Sequence, residues 1–204
     1  MKSYALLTGL ALALTLQAQE HRHLTGYFGA GFTTPVGTVS DRLNTGWDFV
    51  FGAGYRVNKH FSLPIDFTAQ GSSATVLQDK TPISGNMLLY SFTLNPTYEI
   101  QTHSPVGFYV TGGYGIYARR LQLTSTDLAS GFYCDPWWGF CYPGLVPAEV
   151  VLGQNWTYKG GFNVGGGITF GSPGARFFAE MRYHYVFTTN VRTEMIPVAF
   201  GIRF

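Results

Sequence analysis

Hydrophobic and polar residues alternate strictly at the end of the chain. The last nine residues, IPVAFGIRF, place five large apolar side chains on one parity: Ile196, Val198, Phe200, Ile202 and Phe204. Because successive side chains of a β-strand point to opposite faces, a period of two predicts a strand whose faces meet two different environments. The same alternation recurs in FFAEMRYHYVF and MLLYSFTLNPTYEIQ. The hydrophobic pattern therefore predicts a protein built from strands.

Eight segments of the chain carry this pattern. They cover residues 24–33, 47–57, 61–68, 87–101, 106–119, 156–170, 176–187 and 195–204. The connections alternate between short polar turns, at 58–60, 102–104 and 171–174, and mostly longer stretches near 34–46, 69–86, 120–155 and 188–194. An even number of antiparallel strands with short turns at one end and long loops at the other is typical of an outer-membrane barrel, whose long loops face outside.

The two faces of the strands differ in size, which separates a membrane barrel from a soluble one such as a lipocalin. One parity carries bulky apolar residues such as Trp47, Phe49 and Tyr114, while the other is rich in glycine and carries nearly all the strand charges. The interior of an eight-stranded barrel is just wide enough for side chains, so the bulky set must face lipid. We therefore predict an all-β fold, an eight-stranded antiparallel transmembrane β-barrel over residues 19–204.

The amino-terminal residues indicate export. Lys2 precedes an apolar run from Tyr4 to Leu16, and Gln17 and Ala18 follow it. A charged start, a short apolar middle and a small final residue predict a secretory signal peptide over residues 1–18, cleaved after Ala18. The run is too short to cross a bilayer as a helix, which takes roughly 20 residues.

Charge and composition narrow the classes of partner. Removing Lys2 with the signal leaves 12 basic residues against 11 acidic ones, so the sequence shows no basic patch for nucleic acid. Charged residues make up only 12% of the chain and aromatic residues 17%, with 26 glycines. This composition fits neither a disordered segment nor an ordinary helical domain.

The chain resembles the small eight-stranded outer-membrane barrels of Gram-negative bacteria, of the OmpA, OmpX and OmpW type. The eight-segment layout and the final alternation ending on Phe204 carry the resemblance. The resemblance implies an integral protein of the cell outer membrane, in contact with its lipid and lipopolysaccharide. It also implies that Ile196, Val198, Phe200, Ile202 and Phe204 form the signal read by the barrel-assembly machinery. No peptidoglycan-binding segment follows the barrel, so we do not expect the anchoring role of full-length OmpA.

Charged residues on the inward parity predict a polar network in the lumen, because buried charges must be paired. The predicted members are Asp48, Arg56, Asp66, Glu99, Arg119, Lys159, Glu180, Arg182, His184 and Arg203. One interpretation is a set of ion pairs that fills the barrel and fixes its register. The other is a narrow gated channel for small solutes, as in OmpW-like transport, in which Arg182 or Arg203 exchanges partners.

A lipid A-modifying enzyme is the alternative from a different class. Some eight-stranded outer-membrane barrels act on lipid A through a His with a Ser and an acid, and His184 with Ser91 and Glu99 or Glu180 is the set available here. Nucleophilic catalysis requires the Ser and the His within hydrogen-bond distance. The inward parity of His184 favours membership of the lumen network, so we predict no enzyme, cofactor or metal.

The segment FYCDPWWGFCY, residues 132–142, lies in the longest predicted outer loop. A structural zinc site needs about four ligands, and only Asp135 accompanies the two cysteines, whereas an oxidising compartment favours a Cys134–Cys141 disulfide. Five aromatic residues of this segment are candidates for contact with a partner: Tyr133, Trp137, Trp138, Phe140 and Tyr142. They can dock on an extracellular protein, a glycan or outer-leaflet lipid, or fold over the barrel mouth as a lid. We expect structural and surface-interaction roles ahead of transport.

Overall fold

The protein folds as a single sheet of antiparallel strands. A computed structural model describes residues 23–78, 81–100, 105–172, 174–188 and 192–204. The predicted signal peptide and the predicted turn at 102–104 lie outside the described residues. The strands are β1 (Leu24–Val36), β2 (Gly46–Arg56), β3 (Phe61–Gln78), β4 (Thr81–Leu94), β5 (Thr97–Ile100), β6 (Val106–Cys134), β7 (Cys141–Ser172), β8 (Ala175–Val186) and β9 (Thr193–Arg203). No helix among the described residues is long and apolar enough to span a membrane.

The sheet closes into a ring of eight strands. Every neighbouring pair along the chain is antiparallel, and β1 pairs with β9 to complete the circle. Strands β4 and β5 are two parts of one barrel strand, because both pair with β3 on one side and with β6 on the other. Asn95 and Pro96 separate them, since proline has no N–H to donate to the ladder. The predicted eight-stranded antiparallel barrel is confirmed.

Burial alternates along the strands as the period of two predicts. On β2, Asp48 and Val50 are buried, whereas Phe49 and Phe51 are more than half exposed. On β8, the buried positions are Phe178, Glu180, Arg182, His184 and Val186. The outer faces of these two strands are therefore apolar and aromatic, as a lipid-facing surface requires, and their charged residues turn into the lumen.

Several strands continue far beyond the predicted boundaries. The prediction ended β3 at residue 68, began β4 at 87, ended β6 at 119 and began β7 at 156, but the structure extends β6 and β7 to the cysteines. The stretch predicted as a loop at 120–155 is a two-stranded hairpin with a register shift at Leu123/Thr124. The prediction was wrong here, because the loop was inferred only from where the clear alternation stopped and resumed, at 119 and 156.

Two lumen glycines make room for aromatic rings. A Cβ added at Gly167 would lie 2.6 Å from the hydroxyl oxygen of Tyr109, and one at Gly29 would lie 2.8 Å from Cζ of Phe178. Each glycine therefore allows the close approach of a large inward side chain from another strand. The glycine-rich parity seen in the sequence is the space into which these rings fit.

The distal part of the β6–β7 hairpin should be dispensable for the barrel. Beyond Thr124 and Val151 its strands pair only with each other. Replacing residues 125–150 by an Asn-Gly turn should preserve the heat-modifiable gel shift and the β-sheet circular dichroism. Gly115→Val serves as the contrasting variant, because its side chain would collide with the backbone of Phe92 and Thr93 and should abolish the shift. Loss of the shift in the truncated chain would show that the hairpin stabilises the barrel.

Candidate functional site

Arg182 is the centre of the lumen network. Its Nη1 donates to Asp66 Oδ2 at 2.5 Å, and its Nη2 donates to Glu180 Oε2 at 3.0 Å. All three side chains are buried. Asp66 lies on β3 and Arg182 on β8, so the pair spans the lumen. Two carboxylates on one guanidinium leave a net negative charge that further donors must offset.

Hydroxyl and amide donors complete the shell around these carboxylates. The hydroxyl of Tyr27 donates to Asp66, and that of Tyr109 donates to Glu180 at 2.8 Å. Asn95 Nδ2 donates to the second oxygen of Asp66 at 2.6 Å. These hydroxyl and amide groups therefore supply the two buried carboxylates with donors in addition to Arg182.

A second ion pair joins the end of β9 to β5. Arg203 Nη1 donates to Glu99 Oε1 at 3.0 Å. The Arg203 guanidinium carbon lies 4.3 Å from the ring centre of Tyr109 and 4.8 Å from that of Tyr27. Both tyrosines thus connect the two ion-pair groups, because their hydroxyls bond to acids of the Arg182 cluster while their rings face Arg203.

His184 and Asp48 occupy the next layer of the lumen. His184 Nδ1 and the Tyr117 hydroxyl share a hydrogen bond of 3.1 Å, and the Ser91 hydroxyl bonds to that of Thr68 at 2.6 Å. The Ser and His of the enzyme alternative therefore have other partners. His184 and Asp48 also line a cavity of about 10 Å³, large enough for one water molecule.

The remaining predicted network residues lie outside this cluster. Arg119 is half-buried and its Nη1 donates to the Thr193 hydroxyl at 3.4 Å. Arg56 and Lys159 are also half-buried, at the end of β2 and towards the hairpin side of β7. The structure therefore brings Asp66, Glu180 and Arg182 into one cluster, and Glu99 and Arg203 into the adjoining pair.

Four functional residues of the lumen were not identified from the sequence: Tyr27, Asn95, Tyr109 and Tyr117. The parity argument assigned the bulky aromatic set to lipid, and these three tyrosines instead point into the lumen. The signal that could have found Tyr27 and Tyr109 is their position on the glycine-rich parity, with Gly52 and Gly167 opposite them in the neighbouring strands.

An apolar layer closes the lumen towards the hairpin end. Val39 and Leu43, from the segment between β1 and β2, are buried against inward side chains of the wall. The wall residues of this layer are Ala74, Met87, Leu89, Tyr117, Val186 and Met195. The one-turn 3₁₀ helix Gly37–Val39 brings the first of them into the barrel. Apolar residues pack here where the parity rule predicted small and charged ones.

The tip of the β6–β7 hairpin is a short ring closed at its base. A disulfide joins Cys134 to Cys141, with their Cα atoms 4.0 Å apart. Within the ring, Asp135 Oδ1 accepts hydrogen bonds from the backbone N–H groups of Trp137 at 2.8 Å and Trp138 at 3.1 Å. This local carboxylate–backbone turn and the covalent bond together restrict the conformation of the tip.

The aromatic side chains of the tip point into solvent. Trp137 is 87% exposed and Trp138 77%, and Phe140 also lies in the ring. Tyr133 and Tyr142 are exposed just outside it. The tip does not pack over the barrel mouth, which Val39 and Leu43 close instead. The described residues include no group of three or more His, Cys, Asp or Glu side chains that could hold a metal.

The carboxyl-terminal strand closes the ring. The apolar side chains predicted as the assembly signal, Ile196, Val198, Phe200, Ile202 and Phe204, are half-buried or exposed on the outer wall. The backbone of Phe204 exchanges two hydrogen bonds with Gly26, of 2.9 and 3.0 Å. The last residue therefore still pairs with β1.

The family described as "Outer membrane protein beta-barrel domain" matches residues 4–204. The chain belongs to this family. It is therefore an integral β-barrel protein of the outer membrane, and the OmpA-like resemblance and the predicted localisation are confirmed. No curated protein matches the chain.

The chain is similar to solved structures of outer-membrane proteins. Neisserial surface protein A is 17% identical, with a TM-score of 0.56 over 89% of this chain and 96% of that one. Ail of Yersinia pestis, in complex with the heparin analogue sucrose octasulfate, is 14% identical, with a TM-score of 0.49 over 89% and 99%. The amino-terminal barrel of Pseudomonas aeruginosa OprF is 13% identical, with a TM-score of 0.42 over 89% and 98%. At 17% identity, the likeness to neisserial surface protein A shows the fold alone.

Arg182 should be essential to the stability of the barrel. Arg182→Met leaves Asp66 and Glu180 buried without their counterion, which costs about 3–5 kcal/mol when a buried pair is broken. We expect that loss in urea unfolding of the barrel refolded into vesicles. Arg119→Met is the matched control, because Arg119 is half-buried with one long hydrogen bond, and its loss should be much smaller. Equal effects would contradict a central role for Arg182.

The lumen should not conduct ions freely. Charged, polar and apolar layers fill it in turn, and clear aqueous channels appear only in barrels of about 16 to 18 strands. Planar-bilayer recordings of the refolded protein should show small or no steady conductance, with and without residues 124–155. A steady nanosiemens-scale pore would contradict a filled lumen, and a pore that opens only without the hairpin would identify the hairpin as a gate.

Proposed function

We propose that this protein acts at the cell surface, with the barrel as a structural anchor and the hairpin tip as the contact site for an extracellular partner. The observation that carries this proposal is the exposure of Trp137 and Trp138 at the end of a paired hairpin. About ten residue pairs separate the tip from the barrel wall at a rise of roughly 3.4 Å per residue. Exposed aromatic groups of this density are typical of contact surfaces.

The restricted conformation of the tip favours binding of a partner. Restricting a loop before it binds reduces the conformational entropy lost on association. The Cys134–Cys141 bond and the two hydrogen bonds to Asp135 supply that restriction. Tryptophan adds a large contact area with few rotatable bonds, which is why it is enriched at binding hot spots.

The charge of the hairpin limits the kinds of partner that the tip can bind. Residues 121–155 contain three acidic residues, Asp127, Asp135 and Glu149, and no Lys or Arg. A polyanion such as a sulfated glycan would be repelled by this segment. The tip therefore suits an uncharged glycan, on whose sugar rings an indole can stack, or an apolar or basic protein surface.

The carboxyl-terminal strand has a separate role in biogenesis. The outward apolar row from Ile196 to Phe204 is the segment that the barrel-assembly machinery would read before the ring closes. Its outward direction and its position on the strand that pairs with β1 to close the ring support this assignment.

Removing the two indoles should abolish partner binding without affecting the barrel. Cells displaying Trp137→Ala/Trp138→Ala should bind an array of neutral oligosaccharides, or an epithelial cell layer, at least tenfold more weakly than cells displaying the unchanged protein. Phe132→Ala is the matched control, because Phe132 is an exposed aromatic on the same hairpin outside the ring.

A second variant tests the closure of the ring. Cys134→Ser/Cys141→Ser should weaken binding less than the indole variant, since it frees the tip without removing contact area. All variants should keep the heat-modifiable gel shift. Unchanged adhesion of the indole variant, or failure of its barrel to assemble, would refute the contact role.

A further inference from the structure

A groove lies on the lipid-facing wall near the base of the hairpin. It has a volume of about 530 Å³ and is lined by β2, β3, β4 and β6. Its apolar sides are formed by Trp47 and Leu88, and its polar edge by Asn86, Arg120 and Gln122. This surface is separate from the hairpin tip and from the lumen network.

Strand register explains why the groove exists. Trp47, Gly71, Leu88 and Arg120 follow one another across four neighbouring strands, all on the outward parity. Gly71 has no side chain to fill the wall, and the indole of Trp47 lies over it, so that any Cβ there would collide with the ring. Ser73, the next outward residue of β3, is also small. A depression thus runs between the indole and the side chains of β4 and β6.

The groove lies at the level of the membrane interface. Tyr90, Trp156 and Tyr158 form a stack on the outer wall beside it, with ring centres 6.2 and 6.4 Å apart. Aromatic rows of this kind mark the boundary between the hydrocarbon and the headgroups in outer-membrane barrels. The apolar part of the groove therefore meets acyl chains, and the polar edge meets lipid headgroups.

Arg120 gives the groove a positive charge. Its Nη2 donates to Gln122 Oε1 at 2.8 Å and to Gln154 Oε1 at 3.0 Å, and the guanidinium lies 5.9 Å from the ring centre of Trp156. These contacts hold the guanidinium at the groove. Among the residues that the structure describes, no acidic side chain lines the groove. A guanidinium binds phosphate with two parallel hydrogen bonds, so the charge of Arg120 suits the phosphate of a lipid headgroup.

We propose that this groove binds a phosphate-bearing, multiply acylated lipid of the outer leaflet, of the lipid A type. Its phosphate pairs with Arg120 and accepts hydrogen bonds from the neighbouring amides, and one acyl chain lies between Trp47 and Leu88. This inference goes beyond the surface contact proposed for the tip, because it depends on no residue of the disulfide ring. On this proposal the lipid binds at a specific site on the outer wall, in addition to surrounding the barrel as bulk lipid.

Lipid binding by the refolded full chain in detergent tests the proposal. Native mass spectrometry would titrate the protein with bisphosphorylated lipid A, with dephosphorylated lipid A and with phosphatidylglycerol, and inorganic phosphate would be added as a competitor. Arg120→Gln should lower the affinity for bisphosphorylated lipid A at least tenfold. Arg42→Gln, which removes an exposed arginine of the segment between β1 and β2, is the matched control and should bind as the unchanged protein does.

The other arms separate the possible ligands. Dephosphorylated lipid A should bind the unchanged protein as weakly as lipid A binds the Arg120→Gln variant. Ser73→Leu, which fills the groove but keeps the charge, should also lower the affinity, and it tests the site if Arg120→Gln fails the gel-shift check of folding. Equal affinity of Arg120→Gln and Arg42→Gln would overturn the proposal. So would phosphatidylglycerol binding as tightly as lipid A, or competition by inorganic phosphate at the lipid's concentration.

Discussion

The closure of the sheet on itself is the constraint from which the rest of the structure follows. Within a bilayer every backbone N–H and C=O must find a partner inside the protein, and a strand with a free edge cannot satisfy this requirement. The pairing of β1 with β9 removes the edge. Once the ring is closed, each strand has one face towards lipid and one towards a narrow lumen, and the period of two in the sequence follows from that geometry.

The lumen is narrow, so every inward side chain is buried and must pack against, or hydrogen-bond to, other inward side chains. The lumen contains layers of charged, polar and apolar residues that satisfy this requirement. Arg182 is held between Asp66 and Glu180, and hydroxyls and an amide satisfy the remaining carboxylate lone pairs. At the hairpin end of the lumen, Val39 and Leu43 pack against apolar side chains of the wall. Residues packed in this way stabilise the barrel, and both of the ligand sites that we propose lie outside the lumen.

The outer surfaces of the protein, unlike the lumen, expose side chains that can contact a ligand. The hairpin tip exposes two indoles in a covalently closed ring, on a segment whose charges are all acidic. The wall below it presents Arg120 beside an apolar groove at the lipid interface. The two proposals differ in the chemistry of the ligand: we propose that the acidic hairpin binds a neutral or basic surface and that the groove beside Arg120 binds an anionic lipid. The two sites do not overlap, so both proposals can hold for one barrel.

The sequence by itself determined the strand number, the closed antiparallel barrel, the membrane environment and the parity of most side chains. These properties are local, because a residue's neighbours at i±2 show which face it occupies. Only the tertiary structure decided which inward charges meet: Asp66 and Arg182 are 116 residues apart, and their contact depends on the stagger of strands around the ring. It likewise decided that residues 120–155 pair as strands, that tyrosines enter the lumen opposite glycines, and that Val39 and Leu43 close the mouth. Each of these depends on register between distant segments, which alternation within one strand does not encode.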